Sequence, residues 1–181
     1  MSGVASGRLL WAALSATILL FDQISKAQVR RLLPLHESVT VLPGFVQLTH
    51  VTNRGALFGM LHDLPDPWRS ALFTLVPLLA IVLILGFQAR TPAGARIAHA
   101  GLALILGGAA GNLADRLRFG QVTDFVDVFV GAHHWPAFNL ADSSICVGVA
   151  LLVLDLMRHG GRPSEAGEAT RSEPCSPSSL S

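Results

Sequence analysis

The sequence predicts an all-α membrane protein: four transmembrane helices, with a small β-element in one of the connecting loops. Three observations carry this prediction. The chain is 51% hydrophobic and 14% charged, with a mean hydropathy of +0.51, a balance that suits hydrocarbon rather than water as solvent. Apolar runs occupy residues 9–29, 71–87, 97–113 and 138–157, each close to the ~20 residues that a helix needs to cross about 30 Å of hydrocarbon. The ionisable groups gather at the ends of these runs, where a charge costs least.

The first run, LLWAALSATILLF, follows Arg8 and passes without a small-residue cleavage site into Asp22, Gln23, Ile24, Ser25 and Lys26, so it reads as a retained helix and not a signal peptide. Asp22 and Lys26 stand four apart on one helix face, either as a local ion pair or as support for a site on that side. Residues 33–67 are too rich in proline and glycine to span. Within them VTVLPGFVQLTHVT has β-branched and aromatic residues in partial alternation, the pattern of short strands outside the bilayer. Asn53 and Gly55 suit a tight turn, and residues 56–60 form an apolar patch able to rest on the membrane surface.

The second run is charge-free and contains Pro77, which a transmembrane helix tolerates as a kink. A short loop with Arg90 and Arg96 leads to the third run, whose Gly107 and Gly111 form a GxxxG step for close helix packing. The fourth run closes at Arg158. Residues 1–158 thus read as one membrane domain, and 159–181, rich in Gly, Ser, Pro and Glu, as a disordered tail.

Composition also excludes some functions. A net charge of +1 gives no footprint for nucleic acid. Two cysteines, Cys146 in an apolar run and Cys175 in the tail, make neither a disulfide framework nor a CxxC motif. His133 and His134 lie near acidic residues but lack the ligand spacing of a metal site, so neither metal nor cofactor is expected. Arginines flank the spans on both sides, and charge alone leaves the orientation open.

The polar residues are more informative. Asp22 and Lys26 end the first helix, Asn112, Asp115 and Arg116 end the third, and Asn139 and Asp142 begin the fourth. In an up-and-down arrangement these ends share one membrane face with the loops bearing Asn53 and Asp124. If Asp124 and Asp142 approach closely, burial and like charge keep one protonated while the other stays ionised, a division of labour that suits peptide hydrolysis. Arg116 and the asparagines offer forked donors and paired donor–acceptor groups for a peptide backbone. Asp115 reads more readily as a structural partner of Arg116 or a helix-end residue than as catalytic, and Asp127 as a solvated loop residue. Cys146 is expected to be a buried structural thiol, and Ser143 and Ser144 to bond helix backbone.

The segments FDQISK, VTNRGALFGM, GGAAGNLADRLRFGQVTDFVDVF and WPAFNLADSSI, in this order, closely resemble the lipoprotein signal peptidases, or signal peptidase II, a family of bacterial membrane aspartic proteases. The resemblance implies four membrane helices with an extracytoplasmic β-element and a short surface helix. It implies removal of the signal peptide from diacylglyceryl-modified prolipoproteins, N-terminal to the lipidated cysteine, by a monomeric enzyme in contact with membrane lipids. By motif match, Asp124 and Asp142 are the catalytic pair, Asn53, Asn112, Arg116 and Asn139 line the substrate groove, and Asp22 and Lys26 support it. Both termini are then cytoplasmic in the bacterial inner membrane, and the site faces outward. The chain departs from the usual pattern at Arg54, Thr123 and Trp135. The competing function is a proton-coupled transporter, because membrane carboxylates also relay protons; it requires a polar path through the bilayer, whereas residues 145–154 are apolar or small.

Overall fold

The computed structural model of the chain describes residues 2–55 and 65–159. In order these form α1 (Ser2–Leu32), β1 (Ser38–Leu42), β2 (Val46–Asn53), α2 (Asp66–Arg90), α3 (Arg96–Phe119), β3 (Val122–Val130), β4 (His133–His134) and α4 (Leu140–His159). Among the described residues four stretches are long and apolar enough to cross a membrane: Gly7–Leu32, Ala71–Arg90, Arg96–Phe119 and Leu140–Arg158. The surface patch expected at 56–60 and the tail expected beyond α4 lie outside the described residues.

The bundle is built around α3, which packs against all three other helices. Half of its apolar window is buried inside the protein, compared with none of α2. Glycine makes this possible. A Cβ on Gly107 would stand 2.7 Å from the Ser15 carbonyl oxygen of α1, and one on Gly148 of α4 would stand 2.6 Å from the Gly101 carbonyl oxygen. Only a bare backbone fits such approaches, which is how membrane helices gain van der Waals contact where lipid supplies no hydrophobic drive. Hydroxyls add cross-ties: Ser15 Oγ donates to the Ala103 carbonyl at 2.9 Å and Ser144 Oγ to that of Leu104 at 3.2 Å. The outward faces stay apolar, with Leu20 and Phe21 on α1 and Leu75, Val76, Leu79 and Val82 on α2 exposed.

Two boundaries differ from the sequence reading. Helix α3 continues beyond 113 to Phe119, so Asn112, Asp115 and Arg116 lie in its last two turns rather than at its end. Hydropathy falls there, but the polar side chains find partners on other elements. Gly120 stops the helix in the left-handed conformation (φ 69°), its N–H bonding the Arg116 carbonyl. The segment after it is not a polar loop. β3 occupies it and joins an antiparallel sheet of order β1-β2-β3-β4. Val51, Thr52 and Asn53 of β2 oppose Asp124, Thr123 and Val122 of β3, which places Asn53 and Asp124 on neighbouring strands. The β-branched and aromatic residues of VTDFVDVFV carry the strand signal.

Candidate active site

Asp142 enters the site as part of a helix cap. Asn139 is the residue just before α4, and its Oδ1 accepts the Asp142 backbone N–H at 3.0 Å while Asp142 Oδ2 accepts the Asn139 N–H at 3.2 Å. This reciprocal capping box fixes both side chains with the groups that a helix must satisfy anyway, and such caps contribute ~1 kcal/mol. Because Asn139 Oδ1 is occupied, its Nδ2 points the other way and donates to Asp124 Oδ1 at 2.7 Å. One asparagine therefore touches both aspartates.

A second asparagine is set from below. Lys26, fully buried, donates from Nζ to Asn112 Oδ1 at 2.8 Å, so Asn112 Nδ2 faces Asp142 and donates to its Oδ1 at 2.8 Å. Lys26 also pairs with Asp22 at 2.8 Å and with Asp115 at 3.5 Å. Both acids carry the effect onward. Asp22 accepts the Ala141 N–H at 3.0 Å in the first turn of α4, and Asp115 accepts the Thr123 N–H at 3.1 Å, next to Asp124 on β3. The Asp22–Lys26 pair is thus local and tied to α4 at once. Asp115 pairs with Lys26 and Arg30 of α1, where the sequence suggested Arg116.

Asn53 occupies the turn that its sequence suits: Oδ1 accepts the Gly55 N–H at 2.7 Å, and Gly55 has φ 96° with the Phe73 ring against it. It is not only a turn residue, since its side chain also hydrogen-bonds Asp124. Burial, and next the negative charge of Asp142, push the Asp124 carboxyl up to about 6; hydrogen bonds from Asn139 and Asn53 and the charge of Lys26 act the other way.

Asp124 and Asp142 line one cavity of about 560 Å³ together with Asn53, Arg116, Phe73 and Phe138. Arg116 Nε is buried and has no hydrogen-bond partner among the described residues, and its guanidinium carbon lies 6.0 Å from the centre of the Phe73 ring. A second, more polar hollow of about 720 Å³ contains His36, Thr52, Arg54 and Gln121 and shares Asn53 and Asp124 with the first. The two make a groove that is apolar on one side and polar on the other, with Asp124 where they meet and Asp142 in the first. Among the described residues no three of His, Cys, Asp and Glu are grouped to hold a metal ion.

Two sequence expectations fail here. Cys146 is exposed and lines the cavity one turn from Asp142, because that face of α4 is turned away from α3. Asp127 is buried in β3, where it accepts from Gln47 Nε2 at 2.7 Å and pairs with His134 Nδ1 at 2.8 Å. Ser143 and Ser144 do bond backbone carbonyls. Arg30 and Gln23 were not singled out, yet Arg30 donates to Thr123 Oγ1 at 2.9 Å and Gln23 to Asp115 Oδ1 at 3.1 Å. Their spacing carried the signal for Arg30: it lies one helical turn beyond Lys26 on the same face.

Residues 14–158 match the family described as Signal peptidase (SPase) II. The "Lipoprotein signal peptidase" of Syntrophus aciditrophicus is 43% identical over 150 residues, covering 83% of this chain and 93% of the relative. That of Geobacter metallireducens is 43% identical over 156 residues, covering 86% and 95%. A solved structure described as "Bacterial membrane enzyme structure by the in meso method at 2.3 A resolution" superimposes with a TM-score of 0.76 at 26% identity, covering 86% of this chain and 92% of that one. Sequence, helix arrangement and near full-length coverage agree, and the chain belongs to the signal peptidase II family.

Proposed function

We propose that this protein is an aspartic endopeptidase that removes the signal peptide from diacylglyceryl-modified prolipoproteins, cutting N-terminal to the lipidated cysteine. One observation carries the reading: two carboxylates from separate elements line a single groove, each held by a pinned asparagine, in a chain of the signal peptidase II family.

Both oxygens of Asp142 accept N–H donors, from Asn112 and from the Asn139 backbone, so neither needs a proton to be satisfied. Asp142 is the base that takes a proton from water as the water oxygen attacks the scissile carbonyl carbon. Asp124, raised by burial, gives its proton to the carbonyl oxygen. Substrate that covers the groove removes more solvent and raises Asp124 further. In the second step Asp142 returns its proton to the amide nitrogen as the C–N bond breaks, and Asp124 recovers a proton from the tetrahedral diol. The balance is one water consumed, one carboxyl and one amine formed.

The groove's two characters match a lipidated peptide. Its apolar side, with Phe73 and Phe138, takes the acyl-bearing group, each buried CH₂ contributing ~0.8 kcal/mol. Its polar side takes the extended chain; Asn53, shared by the two hollows, and Arg116, in the first of them, hold backbone carbonyls. The protein acts as a single copy in the bacterial inner membrane, with both termini cytoplasmic and the sheet and groove on the extracytoplasmic side.

The test is to incubate purified enzyme with a diacylated and an unlipidated precursor and weigh the products. Cleavage of the diacylated form alone, lost in Asp124→Asn and Asp142→Asn, is the expected result. Normal turnover by either variant removes the mechanism.

A further inference from the structure

The end of the bundle away from the carboxylates carries a second polar cavity. It measures about 240 Å³ and is enclosed by the start of α1, the end of α2 and the start of α3, with Arg8, Trp11, Gln88, Thr91 and His99 in its wall. Along α3, His99 precedes Asn112 by about 20 Å at 1.5 Å per residue, so the two sites lie at opposite ends of the helix.

The residues in its wall are not those of a lipid-facing surface. His99 is only 6% exposed, and among the described residues its Nδ1 has no hydrogen-bond partner. Gln88 Oε1 is likewise buried and without a partner among them. A buried polar atom left in this state is destabilising, and two of them beside one cavity mark a place where a ligand's donors are rewarded. The His99 ring is held flat on Trp11, with centroids 5.6 Å apart and planes within 10°. Arg8 forms no ion pair with an acid among the described residues. The exposed Arg90 and Arg96 stand next to the cavity in the chain.

Depth supplies the identity of the ligand. The apolar spans begin at Gly7, end at Arg90 and begin again at Arg96, so the cavity sits at the headgroup level, where tryptophan is also favoured. Basic hollows between helices at this level suit phospholipid headgroups.

We propose that this cavity binds one anionic phospholipid with a hydroxyl-bearing headgroup, the chemistry of phosphatidylglycerol. The phosphodiester pairs with Arg8, and the headgroup hydroxyls donate to Gln88 and His99. Phosphatidylcholine offers the phosphate but no donor and is rejected. The site is independent of the peptidase reading.

The experiment is native mass spectrometry of the full chain in detergent, titrated with phosphatidylglycerol or phosphatidylcholine of identical acyl chains. One phosphatidylglycerol should be retained at least tenfold more tightly than phosphatidylcholine. Arg8→Gln and Gln88→Leu should each abolish that preference. Arg158→Gln, at the same end of the bundle but outside the cavity, should leave it unchanged, as should Asp124→Asn. Equal retention of the two lipids overturns the proposal. So does an equal loss with Arg158→Gln, which would mean general surface charge, or full displacement by millimolar inorganic phosphate, which would mean a soluble-anion site. Because Arg8 is exposed, its substitution leaves the fold intact and the result readable.

Discussion

Replacing Asp124 by Asn should make the protein more stable at neutral pH while it removes activity. The carboxyl is raised from 3.8 to about 6, chiefly by burial and then by Asp142. The direction follows from linkage. Between these two values the folded state holds a proton that the unfolded chain has released, so stability falls as pH rises through the window, and the whole cost is present above about pH 6. A shift of about 2 units corresponds to ~3 kcal/mol, and water reaching the open groove lowers the expected gain to about 1–3 kcal/mol. Asparagine keeps an oxygen to accept from Asn139 Nδ2 and never ionises. Thermal unfolding in detergent, followed by tryptophan fluorescence, should show Asp124→Asn melting above wild type by ~2–12 °C at about pH 7.5, at roughly 2–4 °C per kcal/mol. The difference should shrink towards zero below about pH 3, where both states are protonated in the wild type. A gain that is absent at neutral pH, or equal at the two pH values, refutes the account of Asp124 as a carboxylate held in an unfavourable place.

Other consequences are simpler to measure. In the proposed mechanism Asp124 is the acid, so kcat/KM should decline with unit slope as pH rises above about 6, because the free enzyme then loses the required proton; a flat profile from pH 6 to 8 contradicts the role. Lys26→Met leaves Asp22 and Asp115 buried without their central cation and should destabilise by roughly 3–5 kcal/mol in reversible denaturation, where a change below about 1 kcal/mol would deny the network its importance. Gly148→Ala drives a methyl to 2.6 Å from the Gly101 carbonyl oxygen and should cost ~1–3 kcal/mol with melting as the readout, whereas Gly86→Ala, with open space around it, should be neutral.

Much of this arrangement was legible in the residues. Hydropathy marked the four spans, and the motifs marked both aspartates, because a charge placed at the edge of hydrocarbon is too costly to be incidental. What stayed hidden depends on tertiary partners. Asp115 and Arg116 depress local hydropathy and so seemed to end α3, but Lys26 and Arg30 from α1 and Thr123 from β3 satisfy Asp115 and let the helix continue. Asp127 looked solvated for the same reason, since its partners Gln47 and His134 come from β2 and β4. Cys146 departs from its expected burial because an apolar sequence does not say which face of a membrane helix meets protein and which meets the groove. The role of Asn139 as a cap was present in its spacing to Asp142, but only the backbone conformation distinguishes a residue before a helix from one in its first turn.

The buried lysine has an effect that its distance from the groove conceals. An amide side chain has no preferred sense of its own; oxygen and nitrogen exchange places by a half-turn. By claiming the oxygen of Asn112, Lys26 removes that freedom, and the capping bond removes it from Asn139. The two acids consequently inhabit unlike surroundings before any peptide arrives, and in the proposed mechanism they keep separate duties from one turnover to the next. A cation buried beneath the groove thus gives the pair its handedness.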